Sequence, residues 1–206
     1  MPAGHDSPFV FIGNHRALDF VNTEVATEGV PRDLLTDLGS LTDWLVQAGA
    51  VDRGTARRAL DRWKGKRAGT TLLPQARALR SSLRRLAEAA AEGRPVPRPI
   101  VDSINRFLAR GAGVTRIVPG GRGFTTRHAL RVEEPADLLV PLAESAADLL
   151  CHADLRRIRR CAHPRCILYF LDGTKNGTRR WCDMRTCGNR ANAAAYYRRQ
   201  RADAGS

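Results

Sequence analysis

The residues of this chain best suited to chemistry are four cysteines near its C-terminal end. Cys161 and Cys166 enclose four residues, and Cys182 and Cys187 also enclose four. Fifteen residues separate the two pairs. Because Zn²⁺ prefers four soft ligands in a tetrahedron, two short loops that each carry two thiolates can supply a complete site. The spacing therefore predicts zinc bound by all four cysteines.

The predicted zinc is structural, since four sulfurs leave no coordination position for water or substrate. A segment of about 45 residues buries little apolar surface, and zinc binding would add about 10 kcal/mol of folding free energy at neutral pH. Two disulfides, buried free thiols, or His163 in place of one cysteine are the alternatives that the spacing leaves open. The fifth cysteine, Cys151, is expected to be a thiol in the core or on a helix surface. We expect no enzymatic activity, because the chain carries no glycine-rich phosphate loop and no G-x-S-x-G motif.

Positive charge is concentrated around these cysteines. The 206 residues carry a net charge of +13, and residues 151–206 hold 13 Lys and Arg against four Asp and Glu, a net of +9. Nearly all of these cations are arginines, whose guanidinium groups can bond phosphate with two parallel donors. The excess predicts nucleic acid as the partner, in preference to an anionic membrane surface.

Seven cations and one amide of this region are the candidate nucleic-acid contacts, with DNA favoured over RNA. They are Lys175, Arg179, Arg180, Arg185, Asn189, Arg190, Arg198 and Arg199. The helix predicted at the C-terminal end could sit in a major groove, with Asn189 or an arginine reading a base edge.

Some of these side chains have alternative roles. Arg160, Arg180 and Arg190 could balance the charge of the metal centre or pair with Asp172 and Asp183. Two adjacent tyrosines, 196 and 197, are expected to pack the last helix against the finger rather than stack on bases.

Hydrophobic spacing predicts a mainly helical region over residues 1–155. Leu18, Phe20, Val21 and Val25 form one apolar helical face. The further predicted elements are a helix from Asp37 to Gly49, a helix capped by Asp52, a long helix over 72–92, a helix over 100–109, a β-hairpin within 111–131, and a helix from 136 to about 159 that runs straight into Cys161.

Residues 156–206 are predicted to form a separate, small module. An apolar run at 167–171 and a β-prone run at 178–181 would pair as a hairpin that brings the cysteine pairs together, as in a zinc ribbon. A helix over 191–201 follows, with Asn189 as its N-cap. The predicted fold class is therefore mainly α with a β-hairpin, plus a small C-terminal zinc-ribbon-like β-hairpin/helix module.

Three polar residues, Asn14, Asp19 and Asn22, lie within an apolar stretch near the N-terminal end. They could bind a small-molecule effector, which would make the helical region a sensor, or they could cap helices and make buried hydrogen bonds. No secretion signal and no membrane span are recognised, so we expect a cytoplasmic protein. Since one short finger offers few base contacts, a homodimer is compatible with DNA binding.

The last cysteine begins the sequence Cys187-Gly188-Asn189-Arg190, which is the signature of the CGNR zinc-finger proteins. Further positions match that pattern: Arg160-Cys161, Cys166, Phe170, Asp172, Arg180-Trp181-Cys182 and Tyr197-Arg198-Arg199. The stretch Gly13-Asn14, Leu18-Asp19-Phe20 and Asn22-Thr23 resembles the start of the ABATE domain. The resemblance implies a zinc-binding, nucleic-acid-binding protein of the kind described as a stress-induced transcriptional regulator of bacteria, and we expect DNA as the nucleic acid. An RNA-binding protein or a zinc-stabilised protein-interaction adaptor stays open as an alternative.

Overall fold

Helix α5 (Leu72–Ala91) is the element around which the N-terminal region packs. A computed structural model describes residues 7–27, 29–111, 113–120 and 123–203. Within these ranges the N-terminal region contains six more α-helices: α1 (Arg16–Val21), α2 (Leu38–Gln47), α3 (Arg53–Trp63), α4 (Arg67–Thr70), α6 (Arg98–Leu108) and α7 (Val140–His152). The predicted fold class, mainly helical with small β-hairpins and a C-terminal cysteine module, is confirmed.

The apolar stripe of the longest helix forms the centre of the core. Its six members, Leu72, Ala76, Leu79, Leu83, Leu86 and Ala90, are all buried. Helices α2 and α3 begin where capping residues predicted them. The Asp37 carboxylate accepts a hydrogen bond from the Ser40 N–H at 2.7 Å, and Asp52 accepts one from the Thr55 N–H at 2.9 Å. These caps satisfy backbone donors that the first helical turn leaves free.

Two antiparallel hairpins interrupt the helices. Strands β3 (Gly113–Gly120) and β4 (Gly123–Leu130) form the predicted hairpin. A second hairpin, β1 (Glu24–Thr27) with β2 (Val30–Asp33), was not predicted. Val25, expected on a helical face, lies in β1, because α1 ends at Val21 and a β-prone run follows. The buried guanidinium of Arg80 anchors the end of β2 through an ion pair with Asp33 at 2.6 Å.

The last helix of the N-terminal region is shorter than predicted. Helix α7 follows a 3₁₀ turn (Pro135–Leu139) and ends at His152 rather than near Arg159. Asp154 then caps a second 3₁₀ turn by accepting a hydrogen bond from the Arg156 N–H. This turn leads into strand β5 (Ile158–Arg160), so the prediction that one helix runs straight into Cys161 is wrong.

The hairpin of the C-terminal module also differs from the predicted one. Strand β6 (Tyr169–Leu171) pairs with β5, which precedes the first cysteine, and Ile158 lies opposite Leu171. Residues 178–181 form no strand. The buried carboxylate of Asp172 instead closes the following loop by accepting hydrogen bonds from the N–H groups of Thr174 and Arg179, both at 2.9 Å.

The C-terminal module packs directly onto the N-terminal core. Ile158 and Tyr169 belong to the same apolar cluster as helix α5. The side chain of Asn22 donates to the Tyr169 carbonyl at 2.8 Å and accepts from the Tyr169 N–H at 2.9 Å, as a neighbouring strand would. The guanidinium of Arg84 donates to the Ile167 carbonyl at 3.1 Å. No helix among the described residues is long and apolar enough to cross a membrane.

We predict that Asn22→Ala lowers the free energy of unfolding by about 2–4 kcal/mol, because both backbone groups of Tyr169 would be left buried without partners. Urea denaturation of the full chain measures this loss. Asn105→Ala, on the exposed surface of α6, is the matched control and should change stability by less than about 0.5 kcal/mol. Equal stability of the two variants would contradict the prediction.

Candidate metal centre and nucleic-acid interface

The four paired cysteines converge on one point. The sulfurs of Cys161, Cys166, Cys182 and Cys187 all lie within 4.8 Å of one another, and all four residues are buried. The Cys166 and Cys182 sulfurs are 3.8 Å apart. A tetrahedral Zn²⁺ with Zn–S bonds of about 2.3 Å would place its sulfurs about 3.8 Å apart. The donor set and its spacing therefore fit zinc, and no disulfide joins these thiols.

Short backbone hydrogen bonds hold the two cysteine pairs in place. The Cys161 N–H donates to the Leu168 carbonyl at 2.9 Å, and the Cys166 N–H donates to the His163 carbonyl at 2.9 Å. The Cys182 N–H points at the Cys161 sulfur at 3.4 Å. His163 lies outside the four-sulfur cluster, and its Nδ1 faces the Arg165 N–H. The structure therefore favours four sulfur ligands over the alternative with His163.

The thiols influence one another strongly at this spacing. Hydrogen bonds from the Cys166 and Cys182 thiols lower the pKa of Cys161 to about 2. The hydrogen bond to Cys161, together with burial, raises the pKa of Cys166 to about 12, and the pKa of Cys182 is raised for the same reasons. At this spacing, ionisation of one thiol therefore opposes ionisation of its neighbours. A bound divalent cation would reverse this effect and hold all four thiolates.

The last cysteine lies in a wide helical turn, Met184–Gly188, that leads without a break into helix α8 (Asn189–Asp203). Asp183 begins this turn by accepting a hydrogen bond from the Arg185 N–H at 2.7 Å. The N-cap is therefore Asp183, and the prediction of Asn189 as N-cap is wrong. Asn189 lies inside the helical backbone, and its amide donates to the Arg185 carbonyl.

Arg179 links the finger to the N-terminal segment through backbone carbonyl groups. Its guanidinium donates to the carbonyls of Trp181 and Ile12, each at 3.0 Å, and to that of Cys182. The same group lies over the Phe170 ring, 4.1 Å from its centroid. Its Nε and Nη2 groups are engaged within the protein, so Arg179 is less available to phosphate than the exposed candidates.

The other seven candidate contacts are exposed to solvent: Lys175, Arg180, Arg185, Asn189, Arg190, Arg198 and Arg199. None of these cations forms an ion pair with a carboxylate of the described residues. The nearby acids already have partners, because Asp172 binds its own loop and Asp183 caps the turn. The alternative in which Arg180 and Arg190 pair with these two aspartates is not supported.

Helix α8 lies largely in solvent. Its side chains from 189 to 201 are exposed or half-buried, and none belongs to an apolar cluster of the described core. Tyr196 and Tyr197 are 53% and 64% exposed. The expectation that they pack the helix against the finger is wrong, because the helix has no described apolar surface to meet there.

The three polar residues of the N-terminal segment have structural partners. Asn14 donates to the Leu171 carbonyl at 3.0 Å, and Asn22 binds the backbone of Tyr169. Asp19 accepts a hydrogen bond from the Gly13 N–H at 2.8 Å. Burial raises the pKa of Asp19, and the bonds from the Gly13 and Ile12 N–H groups offset this only in part. Asn14 and Asn22 thus bind the finger backbone, and Asp19 binds its own N-terminal segment. Asn14 also lines a cleft between that segment and the finger.

Two arginines have structural roles that the sequence did not reveal. Arg157 donates to the carbonyls of Asp172 and Thr174, and Arg84 links α5 to the segment before β6. Nothing in the local pattern marks either arginine, because the partners are carbonyl groups distant in sequence. Asp172 was considered as a family position and as an ion-pair partner, whereas the structure shows that its carboxylate closes its own loop.

Comparison with known families fits this geometry. Residues 14–153 match the ABATE family, described as "Putative stress-induced transcription regulator". The chain belongs to the ABATE family. Residues 157–200 of this ABATE protein match the CGNR zinc finger, so the finger includes strand β5 and most of helix α8. No curated protein matches the chain significantly.

The metal centre gives a direct prediction. The purified ABATE protein should contain about one zinc per chain, and Cys182→Ser should lose it, because three sulfurs hold Zn²⁺ far less tightly than four. The matched control is Cys151→Ser, which removes the exposed fifth thiol on α7 and should leave the zinc content unchanged. Metal analysis after gel filtration measures both, and loss of zinc in neither variant would contradict the assignment.

Proposed function

We propose that this protein is a transcriptional regulator that binds DNA through the arginine-rich outer surface of its zinc finger. The observation that carries the proposal is the division of charge within residues 154–199. The acids Asp154, Asp172 and Asp183 are engaged in turns and caps, whereas the arginines of α8 and the adjoining loops are exposed. An unbalanced cationic surface of this kind attracts the phosphate backbone.

The shape of helix α8 favours DNA over RNA. Its 15 residues span about 22 Å, and its side chains from 189 to 201 are exposed or half-buried. The major groove of B-DNA, about 12 Å wide, admits an α-helix, whereas the major groove of A-form RNA is too narrow for side chains to read. Arg190, Tyr197 and Arg201 share one face of α8 by their spacing, which would turn them toward the groove together.

The metal has a structural role in this proposal. Four sulfurs complete a tetrahedron, so zinc would stabilise the finger and would not activate water or substrate. We accordingly propose that the protein is not an enzyme. Zinc instead fixes the turn at Met184–Gly188, from which helix α8 starts.

Salt dependence tests the interface. If about six phosphates are neutralised, the logarithm of the binding constant should fall against the logarithm of salt concentration with a slope of about −5. The double variant Arg198→Ala/Arg199→Ala should make this slope shallower by about 2 and weaken binding regardless of sequence. Fluorescence anisotropy of a labelled duplex at several salt concentrations measures both quantities.

The matched control is Arg53→Ala/Arg57→Ala, which removes the same charge from the exposed side of α3. It should leave the slope nearly unchanged, and an equal effect of both double variants would contradict a specific role for α8. Binding to single strands or RNA hairpins alone would favour the RNA-binding alternative. No binding of any nucleic acid at low salt would leave the protein-interaction adaptor.

A further inference from the structure

A cleft of about 630 Å³ lies between the N-terminal segment and the finger. One wall comes from residues 11–14 and the other from finger residues 174–184. Pockets of about 300–1,000 Å³ are the usual size for small-molecule sites. Cys182 of the sulfur cluster borders the cleft, but no residue of helix α8 lines it, so the function proposed above does not use it.

Phe11 forms the aromatic wall of this cleft. Its ring stacks on Trp44 with centroids 6.0 Å apart and planes inclined by 25°. Trp44 is fully buried, whereas Phe11 is 42% exposed. One face of the Phe11 ring is therefore fixed against the core, and the ring keeps solvent-exposed surface at the cleft.

The opposite wall is formed by Trp181 and Met184. Both side chains press against Gly188, where an added Cβ would lie 2.6 Å from the Met184 sulfur and 3.2 Å from Cδ1 of Trp181. The glycine of the CGNR signature thus lets these side chains lie flat on the turn. Met184 is nevertheless 54% exposed, so part of its apolar surface is open at the cleft.

Polar groups surround these apolar walls. The exposed guanidinium of Arg180 lies over the Trp181 ring, 5.2 Å from its centroid, with no described carboxylate partner. The Asn14 amide lines the same cleft, and so does the Asp183 carboxylate, whose Oδ1 accepts the Arg185 N–H. Asn14 is the only described non-glycine residue with a positive φ, 56°. The cleft thus combines a cation that has no described carboxylate partner, two aromatic rings, and polar groups that could hydrogen-bond a planar ligand.

We propose that this cleft binds one nucleotide. The base would stack on Phe11 or Trp181, the phosphate would bind Arg180, and Asn14 and Asp183 would meet the hydrogen-bonding edge of the base. Stacking on aromatic rings is the general means by which proteins hold unpaired bases, and arginine is the preferred phosphate ligand. The nucleotide could be free in solution or belong to an unpaired strand. The site extends the function proposed above and does not depend on duplex binding by α8.

Quenching of tryptophan fluorescence tests this site in the zinc-loaded full chain. Trp44 and Trp63 are buried, so a ligand in the cleft should quench Trp181 selectively. Adenosine, AMP and a short single-stranded oligonucleotide are titrated in turn. Phe11→Leu keeps an apolar side chain but removes the aromatic face, and it should weaken binding of all effective ligands by about fivefold or more.

Arg180→Gln separates the phosphate contact from stacking. This variant should weaken the binding of AMP about tenfold and leave the binding of adenosine unchanged, because only the charge-assisted bond to the phosphate is lost. Arg62→Gln is the matched control, since Arg62 lies over the Trp63 ring at 5.1 Å in the same manner but far from the cleft in sequence. Phe124→Leu, at an 80% exposed phenylalanine of β4, is the control for the aromatic change.

Each outcome has one meaning. Binding of AMP that both variants weaken supports a free-nucleotide site, and binding of the oligonucleotide alone with the same sensitivities supports an unpaired nucleotide of a strand. Absence of quenching by all three ligands, or equal effects of the variants and their controls, overturns the inference. Duplex binding in that case would leave the proposed function intact, whereas nucleotide binding without duplex binding would reject the proposed function alone.

Discussion

Convergence of the four buried cysteines is the constraint on which the finger depends. Between residues 158 and 188 the chain has only two three-residue strands and one wide helical turn. Such short elements are marginal in water without further support. The four sulfurs tie the loop after β5 to the turn before α8, and bound zinc would convert this contact into four strong bonds. The direction in which α8 leaves the protein follows from that link.

Hydrogen bonds also join the finger to the N-terminal region, because side chains supply partners for backbone groups that have none within a strand or helix. Asn22 hydrogen-bonds Tyr169 as an additional strand would, and Arg179 bridges Ile12 and Cys182. Buried backbone groups require such partners. A change in the position of residues 12–22 would therefore act directly on the finger backbone, which gives the N-terminal region a physical means of influencing the orientation of the finger.

Local signals in the sequence predicted much of this structure. The cysteine spacing located the metal centre, and Asp37 and Asp52 marked the starts of two helices because a cap acts within three residues. The strand pairing of the finger was mispredicted, because the apolar run at 167–171 can pair with a segment on either side. The choice of β5 depends on Asp172, which closes the next loop with hydrogen bonds of its own.

Contacts between distant residues account for the other differences. The sequence shows that Asn22 is polar, but not that its partner is 147 residues away at Tyr169. The role of Arg179 is hidden in the same way, since an arginine that binds carbonyl groups looks like any other arginine in a basic segment. Charge alone therefore does not distinguish an arginine that binds backbone carbonyls from one that is free to bind an external anion.

The arginines of the finger fall into two groups, one that binds backbone carbonyl groups and one on α8 that has no such partners among the described residues. A zinc ion with four thiolates carries a charge of about −2, and a buried charge of that size requires nearby cations or dipoles. Arg179 supplies a cation beside Cys182 while its donors bind carbonyl groups. The arginines of α8 have no such partners among the described residues, and Arg190, Arg198, Arg199 and Arg201 carry like charges within a single helix. Their mutual repulsion would be reduced by nearby phosphates. The arginine content of the finger therefore has two effects: it balances the charge of a bound metal centre, and it favours an anionic ligand on the outer surface.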